Sequence, residues 1–503
     1  MKLSRLILSV GFGTLLSRVF GFARDVLVAA RLGASPINDM FLTAFRLANM
    51  LRSIFAEGAL GIVFVPELSK TIEKHGKKKA FIFASQLHLL LLICLGSIVI
   101  VGTIIMPQIM WYTVPGFRGN LYVAQTTVLF ARITFPYLLC ISLASFYGGI
   151  LNSFNRFLPF ALAPTILNVT VVLALLFCDF LPTTGHTLAV FTTVGGILEL
   201  FWMLFFLLRL KYKLSMCKIK LTKQIKNVFK KMLPIVFSSC VAHLNTWVSM
   251  MMLSFFSGGI SYIYYAERVV QLPIALIGTS IGTVLLPALA KVFVQNNNAN
   301  AILVQNKAIE TALLLTIPAA VGLFALAHDI IFLLFERGNF SAHNTQMTSQ
   351  VLRILSAGLP AFIMVKLFQI KFYAKLDTKT PVVISVICLC VNIAICLITT
   401  RSFQHRGVAL ANSLSGWLNI LLLLVFARNK FGFHFNNNTL TKIIVYCLCS
   451  GGMLSAMEIT KRVMHLQHLK MTIIIKILLG SVVYFVSYFS LKTVLDKSKV
   501  DVL

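Results

Sequence analysis

The sequence predicts an all-α polytopic membrane protein of about fourteen transmembrane helices. Three observations carry that prediction. Of 503 residues, 58% are hydrophobic and only 12% charged, against roughly a quarter charged in soluble domains; mean hydropathy is +0.88. The apolar residues fall into runs close to the roughly 20 residues that a bilayer crossing needs. The basic residues gather in alternate gaps between those runs. A soluble core could not hide so much apolar surface, so a water-soluble enzyme is excluded.

The runs are separated by charged or Pro/Gly/Asn-rich stretches. The first covers residues 5–30; Arg18 and Arg24 interrupt it and no cleavage site follows, so it does not read as a signal peptide. Residues 37–68, 81–110, 125–150, 158–180 and 187–208 complete a first set of six. Residues 233–257, 261–289, 308–334, 346–370, 381–400 and 407–427 form a second six, and 443–460 and 471–493 form a final pair. Between the sets, KYKLSMCKIKLTKQIKNVFKK (Lys211–Lys231) is basic and amphipathic and suits the anionic inner leaflet. The expected organisation is therefore an N-lobe (1–210), a basic cytoplasmic linker (211–232), a C-lobe (233–430) and two further helices with a cytoplasmic tail (431–503).

Lys plus Arg is 45 and Asp plus Glu 15, a net charge of +30. In a soluble chain this would suggest nucleic acid, but no nucleic-acid-binding motif accompanies it, and cytoplasmic loops of membrane proteins collect Lys and Arg. With the N-terminus inside, the inner segments hold 28 basic residues and the outer ones 8. The bias places both termini in the cytoplasm, which requires an even number of spans. The ten cysteines never form CxxC and sit largely in apolar runs, as small packing residues. His465 and His468 share a loop without further ligands, which is weak metal evidence.

The chain partly repeats itself at a separation of about 222 residues. Arg46-Leu-Ala-Asn49 followed by Pro66-Glu-Leu-Ser-Lys70 is echoed by Arg268-Val-Val-Gln271 and Pro287-Ala-Leu-Ala-Lys291. Phe135-Pro136, Phe146-Tyr147, Pro159 and Asn168 correspond to Leu359-Pro360, Phe372-Tyr373, Pro381 and Asn392. Both copies begin inside, so the repeat is parallel. Transporters built this way bind substrate between halves near mid-membrane and rock the halves for alternating access. The last two helices fall outside the repeat.

Nine basic residues lie inside spans, where each is expensive unless it faces a partner or water. On the first helix Gly11, Arg18 and Asp25 share a face, and Ser17, Gly21 and Arg24 form a second stripe. On the second, Asp39, Arg46, Ser53 and Glu57 line one face, and Asn49, Arg52 and Ala56 another. The eighth adds Arg268, Gln271, Ala275, Gly278 and Gly282. Ion pairs such as Arg18 with Asp25, or Arg46 with Glu57, would account for some of these as packing devices. Yet Arg18, Arg24, Arg46, Arg52 and Arg268 outnumber Asp25, Asp39, Glu57 and Glu267, and surplus guanidinium in a dry core would be costly. A hydrated pocket awaiting an anion would stabilise it, and the guanidinium fork matches phosphate oxygens better than an ammonium does. The expected cargo is anionic, with phosphate or diphosphate favoured.

SRVFGFARD (Ser17–Asp25), FRLANMLRSIFAEGAL (Phe45–Leu60), FVPEL (Phe64–Leu68), YYAERVVQLPIALIGTSIGTVLLPALAK (Tyr264–Lys291) and FYAKLDTKTPV (Phe372–Val382) resemble the MurJ (MviN) family of lipid II flippases. The likeness runs over essentially the whole chain. It implies the MOP exporter fold: two six-helix lobes plus two helices that form an apolar groove. It also implies transport of undecaprenyl-diphosphate-linked disaccharide-pentapeptide across the bacterial inner membrane for peptidoglycan synthesis, with other cell-wall synthesis proteins as candidate partners. Carried over by motif, substrate-binding positions fall on Arg18, Arg24, Arg52, Arg268, Asp25, Ser17, Gly21, Asp39 and Glu57, with Asn49 beside Arg52. A sodium site known in some members maps onto Asn245 and Asn392. Neutral amides there weaken the case for sodium, since a hard cation prefers carboxylate, and leave membrane potential as an alternative drive; no other cofactor is implied. A polyprenyl-linked polysaccharide flippase would share the arginines. A multidrug antiporter should carry acids for cationic drugs, and a membrane-embedded enzyme should carry a carboxylate cluster or metal site, which the sequence does not offer.

Overall fold

The computed structural model describes residues 3–54, 61–177, 180–210, 222–295, 297–463 and 469–500. Glu57, the linker as far as residue 221, and His465 and His468 lie outside the described residues. Described residues are helical almost throughout, with no strand among them. The chain divides into two compact units. Unit 1 comprises Met1–Ser261 with Arg337–Phe340, and unit 2 comprises Tyr262–Glu336 with Ser341–Leu503.

Unit 1 holds α1 (Leu3–Leu32), α2 (Pro36–Arg52), α3 (Gly61–Ile104), α4 (Met106–Thr113), α5 (Leu121–Thr134), α6 (Tyr137–Ser153), α7 (Leu158–Phe177), α8 (Thr184–Leu208) and α9 (Lys223–Leu253). α1 ends on Gly33, whose φ of 62° suits a residue without Cβ, and its N–H donates to the Ala29 carbonyl. Ser35 then caps α2 by accepting from Asn38 N, with Pro36 in the first turn. The lysine-rich stretch around Lys70–Lys79, which separates two apolar runs in the sequence, is helical apart from a break at Gly76 (φ 76°). Its charges simply point to solvent from an extended helix end. Phe64, Phe83, Phe146, Tyr147 and Met203 form the apolar heart of unit 1. α9 joins this unit by burying Ile225, Val228 and Met232 in the same cluster, with Gln224 donating to Thr71 Oγ1.

Unit 2 contains most of α10 (Gly259–Pro273) and a π turn at Ile274–Thr279 just after Pro273. It continues with α11 (Ser280–Val294), α12 (Asn298–Ala325), α13 (Ala327–Phe335), α14 (Ala342–Ala374), α15 (Lys379–Phe403), α16 (His405–Phe431), α17 (Asn437–Val463) and α18 (Leu469–Val500). α17 and α18 pack as a pair on α12, through Met453, Met457 and Tyr484 against Leu326.

The internal repeat is visible in the element boundaries. α4 and α13, α5 and α14, α7 and α15, and α8 and α16 each begin 221 residues apart. The packing repeats too: α6 and α7 flank α8 as α14 and α15 flank α16. Even a turn recurs. Asn155 and Leu376, 221 apart, both have φ 59°, and the next residues, Arg156 and Asp377, donate back to the carbonyls of Leu151 and Phe372 at 2.9 Å.

Among the described residues, eleven segments are long and apolar enough to cross a membrane, against the fourteen expected over the whole chain. The other three expected spans correspond to α1, α2 and α9. α2 has only 17 described helical residues. α1 carries Arg18, Arg24 and Asp25, and α9 carries four lysines, His243 and Asn245.

Candidate functional site

In unit 1 the predicted residues of the first helix lie along α7. Asn168, an amide in an otherwise apolar helix, reaches across to α1. Its Nδ2 donates to the Ser17 carbonyl at 3.3 Å, and its Oδ1 accepts from Arg24 Nη1 at 3.1 Å. Gly21 permits the approach, because a Cβ there would sit 3.3 Å from that Nδ2. Arg24 Nε and Nη2 both donate to Asp25 Oδ1, at 3.1 and 2.8 Å, and the guanidinium lies 5.8 Å from the Phe45 ring centroid on α2. Arg24 is thus fixed in orientation by an acid, an amide and a ring. Ser17, Gly21, Arg24 and Asp25 form one constellation with Asn168.

Arg18 stands apart. It is exposed, on the side of α1 where Leu15 and Val19 are also exposed, and among the described residues it makes no hydrogen bond or ion pair. Facing hydrocarbon, an arginine at mid-helix would cost about 2.5–3.5 kcal/mol on insertion scales. On α2, Arg52 Nε donates to Asn49 Oδ1 at 2.7 Å, and Arg46 is half-buried. Counted from the Gly33–Ser35 turn at 1.5 Å per residue, Arg24, Arg46, Arg18 and Arg52 lie about 13 to 25 Å along their helices. They share a band of depth.

Asp39 belongs to a different structure. It is almost fully buried; Oδ2 accepts from Gly258 N at 2.7 Å, and Oδ1 from Ser261 N at 2.8 Å and Ser261 Oγ at 2.6 Å. A carboxylate there satisfies amide donors that the first turn of α10 cannot pair internally. Asn38 Nδ2 adds bonds to the Gly33 carbonyl and Ser261 Oγ, both 3.0 Å. Asp39 is seven residues from Arg46, about 10 Å along the helix, and its carboxylate is turned to the amino end of α10.

In unit 2, Arg268 Nη2 donates to the Tyr264 hydroxyl at 2.8 Å, with its guanidinium 4.7 Å from the same ring's centroid. This pair holds the guanidinium by a hydrogen bond and a cation–π contact at once. Asn392 is fully buried; its Nδ2 donates to Asn412 Oδ1 at 3.1 Å and its Oδ1 accepts from Cys396 Sγ at 3.6 Å. Asn245 is half-buried on α9. The two asparagines belong to different units, and among the described residues no group of three or more His, Cys, Asp or Glu is placed to hold a metal ion.

Sequence reasoning missed the roles of Asn168, Tyr264 and Ser261. Asn168 carried a usable signal, because an amide inside an apolar span asks for a partner. Tyr264 lay one helical turn before Arg268, within reach by spacing alone.

The family described as Lipid II flippase MurJ matches residues 28–486, so the Ser17–Asp25 constellation precedes the matched segment. A probable lipid II flippase MurJ of Rhizobium tropici is 36% identical over 430 residues, covering 84% of this chain and 81% of the relative. The Rickettsia prowazekii counterpart is 35% identical, covering 86% and 85%, and the lipid II flippase MurJ of Burkholderia cenocepacia 32%, covering 86% and 84%. Among solved structures, a lipid II flippase MurJ in an inward closed conformation superposes with a TM-score of 0.82 at 28% identity, over 97% of this chain and 99% of that one. A MATE family multidrug resistance transporter of the MOP superfamily gives 0.68 at 14% identity, over 83% and 94%, which shows a shared fold.

Proposed function

The chain belongs to the lipid II flippase MurJ family, and from that premise we propose that it moves lipid II from the inner to the outer leaflet of the bacterial plasma membrane by alternating access. It is a transporter rather than an enzyme. The observation that carries the proposal is the band of guanidinium groups on α1 and α2: Arg24 clasped by Asp25 and Asn168, Arg52 braced by Asn49, and Arg18 exposed at mid-helix. Unit 2, taken by itself, has a guanidinium held in the same manner, Arg268 on Tyr264. A diphosphate is the chemistry these groups suit, because guanidinium forks donate paired N–H groups to phosphate oxygens, and Arg24 and Arg52 are already held in orientation. Asp25 and Asn168 act as positioning residues for Arg24. A cationic cargo is disfavoured, since Asp25 is spent on Arg24 and Asp39 on the amide groups of α10.

In this reading both termini are cytoplasmic and membrane lipids surround the spans. Each arginine crossing the full membrane potential contributes about 2.3 kcal/mol per 100 mV, so potential rather than sodium supplies direction. The decisive experiment is a leaflet-accessibility assay for lipid II in cells depleted of this protein. Wild-type expression should restore outer-leaflet lipid II, and Arg24→Ala, inserted at equal level, should not. Restoration by the variant would overturn diphosphate capture. Flipping in vesicles at equal rates with and without an imposed potential would end the coupling proposal.

A further inference from the structure

α4, the 3-10 turn Pro115–Gly119 and α5 enclose an apolar groove of about 400 Å³ in unit 1, with Pro107, Trp111, Ala124 and Leu129 among its walls. Two arginines line it, Arg118 and Arg132, and no acid does. Each is anchored through part of its fork only. Arg118 Nε and Nη2 donate to the Trp111 carbonyl at 3.2 and 2.5 Å, with the guanidinium 4.0 Å from the Trp111 ring centroid. Arg132 Nε donates to the Thr103 carbonyl at 3.2 Å. Their remaining N–H groups bond to no described residue, and both side chains are exposed. Trp111, Tyr112 and Tyr122 are exposed around the same turn, as aromatic residues are where a span meets the headgroup level. The turn is held firmly: Gly116 N donates to Ser254 Oγ at 2.9 Å, and a Cβ at Gly116 would collide with the Ser254 backbone.

We propose that this groove binds one anionic phospholipid of the surrounding bilayer, with an acyl chain in the groove and the phosphate between Arg118 and Arg132. The charge of the lining selects the headgroup, and the apolar walls select a lipid over a soluble anion. Two guanidinium groups pre-anchored by backbone carbonyls pay little ordering cost on meeting a phosphate. None of the α1–α2 arginines lines the groove, so the proposal stands independently of the cargo.

The test is native mass spectrometry of the full-length protein in mild detergent, titrated with dioleoyl-phosphatidylglycerol or dioleoyl-phosphatidylcholine. Wild type should retain phosphatidylglycerol about tenfold more tightly, because both lipids bring the same phosphodiester but phosphatidylcholine also brings a choline cation that a lining with two arginines and no acid repels. Arg118→Gln with Arg132→Gln should erase that preference. Ala124→Trp, which fills the groove and keeps both charges, should lower retention of both lipids to the same level. Equal retention of the two lipids by wild type, a comparison that needs no variant, would overturn the proposal. So would an Ala124→Trp protein that still prefers phosphatidylglycerol, because the arginines would then act only as surface charge. Displacement of the bound phospholipid by undecaprenyl diphosphate would also overturn it, in favour of a cargo-tail site.

Discussion

α1 and α2 can be set beside α9 and α10, their counterparts in the repeat. The scaffold behind them is duplicated down to a single turn, with Asn155 and Leu376 in the same left-handed conformation 221 residues apart. The charge is not duplicated. At that separation Arg18, Arg24 and Asp25 meet Ser239, Asn245 and Thr246, while Arg46 finds Arg268 at 222. One edge therefore carries an ionic clasp, Arg24–Asp25–Asn168, where the other carries neutral hydroxyl and amide groups. Packing needs only shape and apolar area, so it survives duplication. Guanidinium groups inside a membrane protein are expensive, so they persist only where a cargo or partner uses them.

The largest effect should separate Arg24 from its counterpart. Arg24→Ala should abolish growth of a flippase-depleted strain with normal membrane insertion, while Asn245→Ala should support growth; equal behaviour would erase the distinction. Arg24→Lys should recover only part of the function, because the bidentate fork is lost. Next comes the Asp39 contact. Asp39→Ala strands two amide groups and a hydroxyl in a buried place, a loss of about 3 kcal/mol, read as a lower thermal midpoint in detergent. Exchanging the pair, Asp39→Ser with Ser261→Asp, should recover part of that loss. Asn168→Ala should cost about 1 kcal/mol and lower flipping more than stability, since it loosens the Arg24 clasp.

The smallest effect lies at the repeated turn, where unit 2 has Asp377 and unit 1 has Arg156. Burial disfavours the charged carboxyl of Asp377, but hydrogen bonds from Thr380 and Lys430 outweigh it and hold its pKa down at about 2. A depressed carboxylate stabilises the fold above its unfolded value of about 3.9, and that contribution is lost as pH falls toward 2. Asp377→Asn should therefore lower stability by under about 1 kcal/mol at pH 7, with the difference from wild type vanishing near pH 2. A gap that persists in acid would assign the turn's stability to packing instead.

Much of this was legible in the amino-acid sequence. The apolar runs, the repeat and the cost of mid-span arginines came from composition and spacing, and Gly and Pro marked several true breaks. Helix limits were harder. The apolar runs stop at 68 and resume at 81, yet α3 continues through Lys70–Lys79, because exposed charges sit as well on a helix as on a loop. Partners were hardest, because Asn168 lies 144 residues from Arg24 and nothing local in either helix announces the other. Ser261 is instructive: it stands 222 residues from Asp39, so the repeat length already pointed from the acid to its partner.

That last distance has a consequence for how such a chain could have arisen. Asp39 touches the residue that occupies its own place in the second copy. Two identical half-length subunits meeting here would set carboxylate against carboxylate, which repel, or hydroxyl against hydroxyl, which leaves the amide groups at the start of α10 without the carboxylate that now accepts from them. Fusion into one polypeptide frees each copy to hold a different side chain. This contact is therefore available to a covalently joined pair and closed to a symmetric dimer of its ancestor.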